Sequence, residues 1–205
     1  QKNGKLRASK ALVEGEDFVN TPVYDFARGT FLDGYVGVEG AVSHTRTVVY
    51  VRSLFWVVVD YVTTDKLRKI QALWHFAPSC EVKTDVARSY SDNQADGNIE
   101  IVPVANLDWE VELIKGQEKP FIQGWYSEDY GKKEPNIAAV YTSNIAKATT
   151  LAWVMIPSIG KRVKVAATVL KQDAEHIQLK VQLERKNPVI VNVPLTKGLP
   201  TVNHH

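Results

Sequence analysis

The stretch Leu54-Phe55-Trp56-Val57-Val58-Val59-Asp60 decides the fold. Six apolar residues run unbroken before the aspartate, and the valines favour an extended backbone. Such a run predicts a strand buried on both faces; a buried helix segment has the same pattern, but the length is that of a strand. Before it stands His44-Thr-Arg-Thr-Val-Val-Tyr-Val-Arg52-Ser53, a second extended run that closes on a tight turn. After it comes Ile70 to Phe76, inside Lys69–Pro78. Three neighbouring strands with short connections predict a meander, taken as the centre of one β-sheet.

The remaining chain reads the same way. Residues 1 to 20 form a lead-in segment or edge strand, and residues 21 to 205 a single domain. Tyr24, Phe26 and Arg28 share one face of an extended segment. Gly29, Gly34, Gly37 and Gly40 punctuate the loop that follows. Glu81 to Tyr90 reads as one strand, and Ile99 to Val104 as another, which Pro103 confines to an edge or a strand end. Trp109-Glu-Val-Glu-Leu-Ile114 alternates, with Trp109, Val111 and Leu113 inward. Further strands follow from Asn136 to Val193, with Asn187-Pro188 as a turn between the last two. No long segment has a 3.6-residue apolar period. Roughly a dozen short strands predict an all-β fold, an antiparallel β-sandwich of two sheets with little or no helix.

Composition bounds the function. The chain has 205 residues, 44% of them apolar and 23% charged, which is a globular balance. A net charge of +2 makes no case for nucleic acid or an anionic membrane. The single cysteine, Cys80, allows no internal disulfide and reads as a buried thiol. No apolar run nears the roughly 20 residues of a membrane-spanning helix. The chain starts at Gln1 rather than Met, as a processed protein or a piece of a longer one would. Gly-x-Ser-x-Gly elbows and Gly-rich phosphate loops are missing from the sequence.

An ordered set of motifs resembles the C-terminal β-sandwich region of the heparinase II/III-like polysaccharide lyases. The set is Tyr24-Asp-Phe-Ala-Arg-Gly29, Gly34-Tyr35, His44-Thr-Arg46, Leu54 to Asp60, Leu73-Trp-His-Phe-Ala-Pro78, Gly124-Trp-Tyr-Ser-Glu-Asp-Tyr-Gly131 and Glu134-Pro135. The resemblance implies a bacterial, periplasmic or secreted parent with an N-terminal helical toroid. That parent would cleave uronic-acid-containing polysaccharide, such as a glycosaminoglycan, by β-elimination. The family's catalytic and zinc-binding His-x-His-x-Asp and His-Asn-Thr segments do not occur here, so no catalytic residue is carried over. This chain is expected to hold no cofactor; zinc or calcium would belong to the parent. Its partners would be the toroid of the same parent and an acidic polysaccharide.

Three groups of residues remain as candidates. His44, Asp60 and His75 offer two imidazoles and a carboxylate, a set that suits zinc with an open position. The preferred alternative makes them half-buried hydrogen-bonded strand residues, with Asp60 capping a turn, because their spacing is not that of a metal motif. Arg46 and Arg52 carry forks suited to a sugar carboxylate or sulfate, although strand arginines more often pair with a neighbouring acid. Trp125, Tyr126 and Tyr130 sit in a charged loop. Packing against the toroid is the first role expected of them, sugar stacking the second, and a cover over the sandwich the third. Two main readings result: a non-catalytic module supporting the toroid or the substrate cleft, and a stand-alone carbohydrate-binding module. A purely structural β-domain is a third.

Overall fold

A computed structural model describes residues 18–204 except 33, 34, 36, 95, 96, 105 and 106. No described residue is helical. In chain order the strands are β1 (Phe18–Asn20), β2 (Tyr24–Phe31), β3 (Val42–Val51), β4 (Phe55–Thr64), β5 (Arg68–His75) and β6 (Val82–Asp85). Next come β7 (Arg88–Ser91), β8 (Gly97–Pro103), β9 (Glu110–Lys115), β10 (Trp125–Tyr126), β11 (Glu134–Pro135) and β12 (Ile137–Ile145). The last are β13 (Thr149–Ile159), β14 (Val165–Gln172), β15 (His176–Leu183), β16 (Val189–Pro194) and β17 (Thr201–His204).

An eight-stranded sheet of order β1-β2-β3-β4-β13-β8-β7-β6 forms the middle layer. On one face it packs against the four-stranded sheet β14-β15-β16-β17, burying Phe26, Val49, Phe55, Val57, Val59 and Val154 against Ile177, Leu179, Val181 and Val191. On the other it meets the three-stranded sheet β5-β12-β9, burying Val58, Leu151 and Trp153 against Ala72, Ala139 and Tyr141. The all-β sandwich is therefore present, with three layers where the spacing predicted two. Both faces of β4 are covered, which is why its sequence shows no alternation. The Tyr141 hydroxyl donates to Ser89 Oγ at 2.7 Å, and burial pushes its pKa up to about 12, so it stays a donor.

The predicted meander is corrected at its third strand. β3 and β4 pair over their whole length, but β5 leaves the sheet and pairs with β12. The free edge of β4 is taken by β13, an apolar strand from much later in the chain. Arg68 fixes the departure, donating to Thr64 Oγ1, the Glu39 carbonyl and Asp65. β5 can leave because it alternates, with one half-exposed face, whereas β4 needs cover on both. A second correction concerns Glu81 to Tyr90, which is a hairpin of β6 and β7 rather than one strand. Pro103 does end β8, where only β13 still pairs with it.

Arg28 joins two layers. It is 5% exposed, and its guanidinium donates to the carbonyls of Pro194 at 3.0 Å, Gly198 at 2.9 Å and Thr196 at 3.3 Å. Those carbonyls end β16 and begin the turn to β17. Arg28→Met fills similar volume but removes these donors, and is expected to cost about 2 kcal/mol in urea unfolding. At the β6–β7 turn, Val86 has φ of 54° and is 97% exposed. A β-branched residue in the left-handed region is strained, and nothing here repays it through burial. Val86→Gly is expected to raise the melting temperature, with a gain of about 1 kcal/mol.

Candidate functional site

Arg46 stands opposite Asp60 in the β3–β4 register, and His44 lies two residues further along β3 on the same face. Asp60 is 2% exposed yet ionised. Burial pushes its pKa up, and the hydrogen bonds from His44 and Arg46 more than reverse that, leaving it below the usual carboxylate range. Arg46 donates Nε to Oδ1 at 2.6 Å and Nη2 to Oδ2 at 3.0 Å, a two-pronged fork. His44 Nε2 reaches the same Oδ1 at 2.7 Å. Because that oxygen only accepts, Nε2 carries a proton, and Nδ1 is left for Tyr35 Oη at 3.3 Å. Tyr35 comes from the glycine-punctuated loop before β3 and packs on Phe31. A cavity of about 330 Å³ opens beside this cluster, between the middle sheet and β5.

His75 does not join His44 and Asp60. It ends β5, opposite Ala138, where its Nδ1 lies 3.5 Å from Asn136 Nδ2. Among the described residues no group of His, Cys, Asp or Glu side chains gathers as a metal site. Arg46 also lies over the Trp74 ring at 5.4 Å and so belongs to the inter-sheet cavity, not to the aromatic loop. Arg52 pairs with Asp25 at 2.5 Å. Cys80 is half-buried and accepts from Asn93 Nδ2. Arg162 bonds Glu100 at 2.7 Å and stacks on Tyr90.

The aromatic loop is an arm between β9 and β12. A bridge between Gln117 and Gln123 and the short pair β10–β11 stiffen it. Gly124 has φ of 74°, and a Cβ there would sit 2.5 Å from the Ile114 carbonyl, so only glycine fits where the arm leaves the sheet. Trp125 turns inward, donating Nε1 to the Gln117 carbonyl at 2.9 Å under the Lys133 ammonium, 4.0 Å from its ring. Tyr126 is 41% exposed and Tyr130 wholly exposed. Of Trp125, Tyr126 and Tyr130, the arm thus presents only the two tyrosines. Exposed Phe121 and Ile122, which the sequence reading passed over, add to its apolar tip. Their neighbours in sequence, Pro120 and Gln123, gave no sign that the side chains would be left outside.

The sequence profile of the family described as heparinase II/III-like, C-terminal, matches residues 10–154. The chain belongs to that family. This heparinase II/III-like domain also superimposes on heparan sulfate lyase HepC from Pedobacter heparinus with a TM-score of 0.72 at 16% identity. The match covers 93% of this chain and 28% of that one. A crystal structure of heparinase III gives a TM-score of 0.68 at 15% identity, covering 87% and 27%. At such identities the likeness shows the fold, and the chain spans under a third of either lyase. A comparison with curated proteins gave no match. The heparinase II/III-like profile ends inside β13, so the sheet β14-β15-β16-β17 lies beyond it.

Proposed function

We propose that this chain is the C-terminal β module, one domain over residues 21–205, of a bacterial polysaccharide lyase that is periplasmic or secreted. The parent would cleave a uronic-acid-containing polysaccharide by β-elimination. This module is non-catalytic, and supports the toroid or lines the substrate cleft. The family match over residues 10–154 carries the reading. The arm supports it: Phe121, Ile122 and Tyr130 offer an exposed apolar tip, which a neighbouring domain would cover.

The test is a calorimetric titration of the chain with a separately expressed helical region of a heparinase II/III-like lyase, alongside an assay of unsaturated-uronate absorbance on heparan sulfate and alginate. The module reading expects binding and no turnover by the chain alone. Robust turnover by the chain would overturn it. Trp125→Ala is expected to weaken docking at least tenfold by loosening the arm, and to lower global stability by under about 1 kcal/mol, because Trp125 belongs to neither core.

The exposed Tyr126 and Tyr130 favour a second reading, a carbohydrate-binding module in which phenol faces stack on sugar rings. The arm's charges oppose a polyanion there. Lys132 and Lys133 are already paired with Asp129 and Glu118. A glycan affinity gel decides between the two: retardation that Tyr130→Ala abolishes supports the second reading, and no retardation removes it.

A further inference from the structure

The middle sheet is eight strands wide, and the layer β5-β12-β9 on its second face only three. Arg46 of β3 lies over Trp74 of β5, and Trp153 of β13 meets Tyr141 of β12. With β5 over β3 and β4 and β12 over β13, the free edge of β5 looks across β2 and β1. One row of register neighbours shows where the cover ends: Phe18, Ala27, Val48 and Val58, on β1 to β4. Val58 is 4% exposed and Val48 half-buried, but Ala27 is exposed and Phe18 is 60% exposed. The opposite face of β2 is shut, with Phe26 and Arg28 buried against the layer of β14 to β17.

This open floor is not built as a solvated face. On β2 it consists of Ala27 and Gly29, and a Cβ at Gly29 would meet nothing within 4 Å. The solvated face of β15 carries Gln178, Lys180 and Gln182 instead, behind its buried Leu179 and Val181. Small floor residues leave room for bulky side chains set on them from above. The wall beside the floor is a bare strand edge. Phe76 N–H donates to the Ile137 carbonyl, so alternate residues of β5 bond β12, and Lys69, Gln71, Leu73 and His75 turn their backbone N–H and C=O groups to the free edge. β5 pairs over eight residues without a bulge. The other margins of the three layers are blunted. β1, β6 and β17 span only three or four residues, β14 carries a bulge, and β9 presents Glu110 and Glu112.

We propose that β5 accepts a further strand, supplied by the polypeptide that precedes this domain in the lyase, and that this strand roofs Ala27 and Gly29 with large apolar side chains. A row of free backbone groups at the strand repeat selects an extended peptide over a sugar. Strands lie about 4.8 Å apart, so the floor of β1 and β2 has room for about two. β1 forms the margin of this floor, so the chain leading into Phe18 arrives beside it. This chain covers 28% of HepC, so polypeptide beyond the domain exists in such a lyase. The source of the strand rests on the module reading above; the open edge rests on the fold alone.

Main-chain pairing tolerates sequence change, so the region preceding the matched part of heparinase III, expressed separately, serves as the probe. Amide hydrogen exchange of the whole chain is followed by NMR with and without it, beside a calorimetric titration. On binding, the Gln71 and Leu73 amides are expected to exchange about tenfold more slowly, while Ala72 and Trp74, already bonded to β12, change little. Gln71→Pro removes an N–H that points to the free edge, which an edge strand tolerates, yet it blocks the added strand and weakens binding about tenfold. Ala27→Glu, at an exposed site, sets a charge under the added strand and weakens binding likewise; it carries the test if Gln71→Pro lowers the melting temperature. Binding that leaves Gln71 and Leu73 unprotected, or that Ala27→Glu leaves intact, overturns the proposal while the module reading stands on the arm. Protection already present in the chain alone, and rising with its concentration, gives the edge to a second copy and overturns the stated occupant. No binding at all overturns the proposal together with the module reading.

Discussion

Trp153→Ala is expected to lower the unfolding free energy by about 4 kcal/mol, the largest effect of any single substitution considered. Trp153 lies on β13, in the middle of the middle sheet, and is 0% exposed. Its ring meets Tyr141 at 4.9 Å, Trp109 at 5.2 Å and Trp74 at 5.6 Å between centroids, so one truncation unpacks three aromatic partners from two further strands and a loop. The surrounding sheets are held by their ladders and cannot collapse into the space, which keeps the cavity cost high. A small offset exists. The indole Nε1 is buried without a hydrogen-bond partner among the described residues, and removing it relieves that cost. Urea unfolding followed by far-UV circular dichroism measures the loss. The near-UV signal of the coupled rings should fall in the folded state as well. A loss under about 1 kcal/mol would mean that the layer of β5, β9 and β12 packs more loosely than these distances imply.

Asp60→Ala is expected to cost about 3 kcal/mol at neutral pH. The substitution strands Arg46 and His44 beside an apolar sheet. The figure sits at the low end for a broken buried pair because the Arg46 side chain is 45% exposed and regains water. The pH dependence has a definite sign. The folded-state pKa of Asp60 is depressed, so its contribution is present above the ordinary carboxylate pKa of about 4 and is lost as pH falls through the lower folded value. The native chain should therefore lose stability on acidification below about pH 4, and Asp60→Ala should show a flatter acid limb. Parallel acid limbs for the two proteins would show that Asp60 is not the group responsible.

How much of this was legible in the sequence depended on whether a contact is local. The strand of Leu54 to Asp60 and its pairing with His44 to Val51 follow from residue type and a tight turn. The inward set Trp109, Val111 and Leu113 follows from alternation, and all three do pack on the second core. The partner on the far edge of β4 was not legible. β5, which follows in the chain, and β13, which comes much later, are both apolar enough to pair there. The choice rests on which of them needs burial on both faces. The same holds for the cluster at Asp60. Arg46 and His44 were singled out as separate candidates, one for sugar and one for metal. The register that sets both on one carboxylate depends on pairing details that no local pattern encodes. Tyr35 drew notice only within a motif, because a loop residue's reach to His44 is set by how the loop folds back.

The interleaving of β4 with β13 also bears on how this domain tolerates being cut. A polypeptide stopped where the family match stops, at residue 154, would keep half of β13 and none of the layer that buries Phe55, Val57 and Val59. Those side chains would face solvent on a broad flat surface next to a strand left partly unpaired. Such a surface invites self-association, so the truncated polypeptide should be recovered as insoluble material, while one extended through β17 should stay in solution.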